Sequence, residues 1–244
     1  MSRGAGSQQT GIIALEAATE AGSVALLENS HLLAERSFGE SQRSASALLV
    51  ALDELLERSD RRLEDFGLIA LSIGPGSFTG LRVGLAMALG LCFDSERRIV
   101  PVPTLAALST HAGETERIVP MLDARRGEVY AGVYGPAGRP LADERVCDPR
   151  EWIPTLAAEG GPLTFVGSGA LRYAETIETA LGDRARILGH EQARPRAASV
   201  GSLGARLASL GASLSAAKVE LRYLRRPAAE EARRAGHPSA EPII

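Results

Sequence analysis

Lysine is almost missing from this sequence: Lys218 is the only one, and every other basic side chain is an arginine. Aromatic residues are scarce as well, at 4% of the chain. Proteins that grip single-stranded nucleic acid need rings for bases to stack on and a basic groove for the phosphates. A formal net charge of −3 supplies no such surface, so a nucleic-acid binder acting alone is excluded. The two cysteines, Cys92 and Cys147, lie far apart and form neither a disulfide framework nor a zinc pattern; a reduced, cytoplasmic setting is expected. Histidine contributes His31, His111, His190 and His237, each isolated. With no His-x3-His pair, metal hydrolysis has no ligand set, and with no Gly-x-Ser-x-Gly elbow serine hydrolysis has no nucleophile turn. No run of about 18 apolar residues exists to cross a membrane, and residues 1–10 lack the apolar segment of a signal peptide.

What the chain does have is Gly74-Pro-Gly-Ser-Phe-Thr-Gly-Leu-Arg82, set between two apolar runs. Leu68–Ile73 reads as a buried strand and Leu81–Phe93 as a buried helix. Gly74, Gly76 and Gly80 permit positive φ and close approach, while Ser77 and Thr79 can cap the helix start. Such a turn can hold an anion on backbone N–H groups. It is not a Walker loop, because Leu81 stands where the lysine belongs, nor a dinucleotide G-x-G-x-x-G, because Thr79 replaces the third glycine. A structural strand-turn-helix joint and a ligand contact both remain open. Arg82, in the first helical turn, opposes the helix dipole unless an acid or phosphate answers it.

The coarse organisation is α/β with two related lobes. Residues 1–10 read as a disordered leader, 11–113 as a first lobe, 114–224 as a second lobe and 225–244 as a disordered tail. Ile12–Glu16, Ser23–Glu28 and Leu32–Phe38 are expected to form a meander, followed by a helix over Ser44–Arg58, a strand over Ile99–Val102, and a helix capped by Thr104. The second lobe is expected to open with strands over Ile118–Leu122, Glu128–Tyr134 and Leu141–Val146, then a helix over Pro149–Glu159, a strand over Leu163–Val166, and helices over Ala170–Leu181 and Ala198–Leu210. Asp123, Arg125 and Glu128 cluster beside a turn, either as a catalytic group or as solvated and paired charges.

Helical periodicity marks Ala45, Leu48, Leu49, Leu52, Leu55 and Leu56 as a core stripe. A second face, Ala47, Val50, Ala51 and Glu54, is less polar than a solvated face should be, and is read either as helix-favouring alanines or as a partner face. In the next helix Gly84 and Ala88 lie four apart, as do Ala86 and Gly90, leaving two ridges nearly bare. Glycine there costs about 1 kcal/mol relative to alanine, so close packing against the preceding helix or against a second subunit is expected.

Three stretches carry a resemblance. Gly74–Arg82, Ile12-Ile-Ala-Leu-Glu-Ala-Ala-Thr-Glu-Ala-Gly-Ser-Val-Ala-Leu26 and Met121-Leu-Asp-Ala-Arg-Arg-Gly-Glu-Val-Tyr130 resemble, in order and spacing, the bacterial TsaB (YeaZ) family over about residues 11–190. The resemblance implies a two-lobed actin-like ATPase (ASKHA) fold, each lobe a mixed sheet with flanking helices. It implies a non-catalytic scaffold in the machinery that places N6-threonylcarbamoyl on adenosine 37 of ANN-decoding tRNAs, with TsaD as catalytic partner and TsaE as a further one. It also implies a homodimer when TsaD is absent, contact with tRNA only through the complex, no cofactor of its own, and ATP only at the level of the complex. Docking would use Ala47, Val50, Ala51, Glu54, Gly84 and Ala88, so that Ala51→Arg or Gly84→Leu would break the complex and spare the fold. Where relatives carry Asp-Thr-Ser after the first strand, this chain has Glu16-Ala17-Ala18. The alternative is an active actin-like kinase or nucleotide hydrolase. It would use Glu16, Thr19, Gly74, Gly76, Ser77, Thr79, Gly80 and Arg82 at the phosphates.

Overall fold

The computed structural model describes residues 11–225 apart from residues 20, 29 and 40–44, so the expected leader and all of the expected tail beyond Arg225 lie outside the described residues. The chain begins with a meander, β1 (Gly11–Glu16), β2 (Gly22–Glu28) and β3 (His31–Phe38), continued by α1 (Ala45–Arg58), β4 (Phe66–Ser72), α2 (Phe78–Cys92), β5 (Arg98–Val102) and α3 (Thr104–Ser109). These strands form a mixed sheet in the order β3-β2-β1-β4-β5, antiparallel within the meander and parallel from β1 through β4 to β5.

The pattern then repeats. β6 (Ile118–Asp123), β7 (Val129–Ala131), a small hairpin of β8 (Tyr134–Gly135) and β9 (Arg139–Pro140), and β10 (Arg145–Cys147) precede α4 (Pro149–Ala158) and β11 (Leu163–Val166). Next come α5 (Ser168–Arg172), α6 (Ala174–Leu181), β12 (Ala185–Ile187) and α7 (Ala197–Ser209). The second sheet runs β10-β7-β6-β11-β12, again antiparallel on one side of its first strand and parallel on the other.

Why two-sided sheets form is visible in β1. Ile13 and Leu15 face a core shared with Leu48, Leu52 and Leu55 of α1, whereas Ile12 and Ala14 face the opposite core with α3 and α7. Period-2 alternation puts successive side chains on opposite faces, and because both are apolar both faces are covered by helices. In the second sheet Val119 and Met121 pack with Trp152, Ile153 and Ile177 of α4 and α6, while Ile118 and Leu122 join the α3 and α7 core. The last helix of each half crosses over: α3 packs on β6, and α7 covers β1, β2, β4 and β5. Apolar packing thus runs across the division expected at residues 113/114.

Several local expectations are corrected. Of the strand expected over Leu141–Val146 only Arg145 and Val146 are strand, as the start of β10, and the helix expected over Ala170–Leu181 is broken at Tyr173, whose φ of −111° and ψ of 28° are not helical. β12 had too little apolar pattern to be read, since its three residues are half-buried or exposed. Thr104 does not cap α3. Pro103 holds that position, and the Thr104 hydroxyl accepts instead from Gly74 N–H at 3.1 Å. No helix among the described residues is long and apolar enough to cross a membrane.

Candidate functional site

The Gly74–Gly80 turn leaves β4 and opens α2 with Ser77 as the N-cap, its hydroxyl accepting from Gly80 N–H at 3.3 Å. The turn presses against the end of β1. Ser77 N–H donates to Ala18 O at 2.6 Å, and a Cβ on Gly76 or Gly80 would stand closer than 3.0 Å to the carbonyl of Ala18 or of Ala17. Gly74, at φ +114° and joined to Pro75 by a cis bond, is crowded in the same way by the carbonyl of Arg222. Its N–H and C=O are both bonded to Thr104. The glycines are therefore explained by the chain's own backbone, which comes too near for any side chain.

Glu16 sits at the other side of this contact. It is 1% exposed; its Oε1 accepts from Ala18 N–H at 2.7 Å, while Oε2 has no hydrogen-bond partner. Burial pushes the carboxyl up to about 8, and its hydrogen bonds with Ala18 N–H and the Thr19 side chain pull it part of the way back. At neutral pH the group therefore carries its proton. An unfolded chain releases that proton near 4.5, so between 4.5 and 8 the folded state binds more protons than the unfolded one, and stability falls as pH rises through that window. The slope from this group is at most about 1.4 kcal/mol per pH unit. Glu16→Gln, with no proton to lose, is expected to flatten the dependence of the urea midpoint on pH between 5 and 8. Identical slopes for parent and variant would refute the assignment.

Thr19 donates to Ala21 O at 3.0 Å and so braces the turn of the first hairpin. Thr79 lies inside the first turn of α2, which starts three residues earlier than Leu81. Arg82 is exposed and makes no ion pair among the described residues. Its guanidinium lies 3.8 Å from the centroid of the Phe78 ring, and that ring is 5.1 Å from Tyr223. Of the charged cluster at the second turn, Asp123 accepts from Arg125 N–H at 2.9 Å and pairs with Arg172 at 2.5 Å, while Glu128 pairs with Arg225. Both carboxylates are thus paired with arginines from outside the turn, in α5 and at Arg225. The structure thus brings together Glu16, Thr19, Gly74, Gly76, Ser77 and Gly80, and leaves Arg82 on the outer face of α2.

The face expected to meet a partner is rearranged. Ala51, Gly84 and Ala88 are buried within their own lobe, Gly84 against Leu71 and Ala17 and Ala88 in the core under α1. Ala47 is half-buried, and Glu54 is half-buried and paired with Arg36 across to β3. Of the six, Val50 alone is well exposed, at 54%. Leu49, read from the periodicity as core, is 56% exposed beside it, and α2 adds Leu89, with Phe93 at its C-cap. Ala86 and Gly90 form the outward ridge of α2, and a Cβ on Gly90 would meet nothing within 4 Å. The helices α1 and α2 are neighbours, so their outer faces offer apolar side chains around a ridge of small residues. Such patches mark interaction sites.

Two sheets of matching order, each with a meander on one side and parallel strands on the other, and a joint between the lobes, define a two-lobed actin-like ATPase (ASKHA) fold. Residues 39–233 match the family described as TsaD, tRNA N6-adenosine threonylcarbamoyltransferase. Among individual proteins, the tRNA threonylcarbamoyladenosine biosynthesis protein TsaB of Haemophilus influenzae is 34% identical over 190 residues, covering 70% of this chain and 77% of that one. The TsaB of Bacillus subtilis is 28% identical over 198 residues, covering 79% and 86%. The structure of YeaZ from Pseudomonas aeruginosa superposes with a TM-score of 0.75 at 29% identity, covering 88% of this chain and all of that one. The chain belongs to the TsaB (YeaZ) family.

Proposed function

We propose that this protein is a non-catalytic subunit of the machinery that installs N6-threonylcarbamoyladenosine at position 37 of ANN-decoding tRNAs, acting in the cytoplasm by binding and activating a TsaD partner. The observation that carries this reading is the contrast between the two candidate surfaces. The Gly74–Gly80 turn is packed against residues 17, 18 and 222 of the same chain, while Leu49, Val50, Leu89 and Phe93 are exposed on adjoining helices. Apolar side chains with no cover in the single chain favour a protein partner. The same face would serve a homodimer when TsaD is absent. TsaE would join the assembled pair, ATP would act there rather than on this chain, and tRNA would be met through the complex. The names of the relatives, tRNA threonylcarbamoyladenosine biosynthesis protein TsaB, support the pathway.

The test is mass spectrometry of tRNA nucleosides from the native host after depletion of this protein. Threonylcarbamoyladenosine is expected to fall at least tenfold, and a copy carrying Glu16→Gln is expected to restore it, because a scaffold does not need that carboxyl for chemistry. Normal levels after depletion would sink the proposal. Failure of a folded Glu16→Gln copy, together with micromolar binding of Mg-ATP by the isolated protein, would instead favour an active kinase or nucleotide hydrolase.

A further inference from the structure

The segment after α7 does something that neither the family resemblance nor the partner face accounts for. Leu214 pairs with Ile99 on the outer edge of the first sheet through bonds of 2.9 and 2.7 Å, and Val219 packs on the core beneath α1 and α2. The next residues reach the joint between the lobes. Arg222 N–H donates to Ile73 O at 2.8 Å, the Arg222 carbonyl fills the space beside Gly74, and the Tyr223 ring rests near Phe78. All of these contacts are to the first lobe.

The arginine side chains of this segment go the other way. The Arg222 guanidinium lies 3.1 Å from Oε2 of Glu144, whose side chain is only 2% exposed and which also accepts from the Tyr134 hydroxyl. Burial raises the Glu144 carboxyl above the usual carboxylate range, with Tyr134 and Arg222 opposing that rise. Arg225 donates to Ala124 O at 2.7 Å, pairs with Glu128 and lies over the Tyr130 ring. Glu144, Ala124, Glu128 and Tyr130 all belong to the second lobe. Residues 222–225 therefore span both lobes: the Arg222 backbone bonds Ile73 and abuts Gly74 at the start of the Gly74–Gly80 turn, and Arg225 bonds the Asp123–Gly127 turn at Ala124 O. α3 and α7 also join the lobes, by apolar packing and by hydrogen bonds from Ala197 and Ala198 N–H to Ser23 and Glu35, but those polar contacts lie at β2 and β3 and not at the two turns. At the two turns the Arg225 hydrogen bond to Ala124 O is directional and has a defined length, and the two ion pairs add charge attraction beside it, so together they favour one relative placement of the two turns.

We infer that residues 219–225 are an interlobe clasp, which holds shut the joint between the Gly74–Gly80 turn and the Asp123–Gly127 turn and releases before the lobes move apart. The clasp stands independently of the scaffold function, since it concerns one chain and no partner. It predicts that breaking its second-lobe anchors frees the joint without loosening the sheets.

Hydrogen exchange on the isolated full chain tests this, read by mass spectrometry over peptides covering residues 219–225 and 123–128. Arg225→Glu places like charges beside Glu128 and is expected to raise exchange in both peptides at least tenfold, with peptides from β1, β4 and β6 unchanged. Adding Glu128→Arg restores an opposite pair and is expected to return exchange to within about threefold of the parent. Unchanged exchange in Arg225→Glu, equal loss of protection throughout the strands, or failure of the reversed pair to restore protection would each overturn the clasp. Should Arg225→Glu prove insoluble, Glu144→Gln carries the test: it keeps an acceptor for Tyr134 and removes the charge opposite Arg222. It is expected to raise exchange over residues 219–225 at least threefold, and parental rates there would overturn the inference.

Discussion

Gly80→Val is expected to abolish the soluble fold, or to lower the free energy of unfolding by more than about 4 kcal/mol, a size reserved for a few severe mechanisms. A Cβ at that position would lie closer than 3.0 Å to the carbonyl of Ala17. The obstacle is backbone, and it cannot swing aside. Ala17 N–H approaches the Ser72 hydroxyl at 3.4 Å, Ala18 O holds Ser77 N–H, and the residue before them ends a strand paired on both sides. Relieving the clash would mean moving α2 off the sheet, with loss of the packing of Leu81 and Ala88. Gly90→Ala, in the same helix, is the matched control. A Cβ there meets nothing within 4 Å, and replacing an interior helical glycine by alanine is worth about 0.5–1 kcal/mol of stabilisation. Urea denaturation of the two variants should therefore give shifts of opposite sign. A Gly80→Val protein within about 1 kcal/mol of the parent would show that the turn is looser than its contacts indicate.

The second large effect concerns association. Val50→Asp combined with Leu89→Asp is expected to weaken the proposed binding to TsaD, or the proposed self-association in its absence, at least a hundredfold, while the melting temperature stays within a few degrees of the parent. Both side chains are exposed in the single chain, so the substitutions remove little folded-state packing. In a complex each would bury an unpaired carboxylate, and losing two apolar anchors while desolvating charge amounts to about 3 kcal/mol or more. Ala51→Arg must be read differently. Ala51 is 1% exposed in the core under α1, so an arginine there damages the fold, and its effect on a partner carries no information about the interface. Gly84→Leu fails as a probe for the same reason, with Leu71 and Ala17 against it. Undiminished co-elution of the double aspartate variant with its partner, measured by size-exclusion chromatography, would place the interface elsewhere.

Much of the architecture could be read from residue order. The apolar runs of β1, β4 and β5 have the length and the bounding turns of buried strands, and α1 announces itself by period. The regions that misled were those with short or mixed patterns. β12 has three partly exposed residues, and Tyr173 breaks a run whose composition looks continuously helical.

By itself, the sequence determined the α/β class, the repeated strand order, the turn at Gly74–Gly80 and the family, because these rest on local period and on motifs a few residues long. Only the tertiary structure decided which way each face points and what fills each space. α2 has two bare ridges that periodicity cannot tell apart. The Gly84 and Ala88 ridge lies on the sheet and the Ala86 and Gly90 ridge faces out. The glycines of the turn fit a ligand or a neighbouring backbone equally well until residues 17, 18 and 222 are seen against them. Arg222 reads as the end of the second lobe and Arg225 as the start of a disordered tail, and they become a bridge only when Glu144 and Glu128 are brought opposite them. The physical reason is common to all three cases: close approach and charge pairing between residues dozens to more than a hundred positions apart leave no periodic trace in the chain.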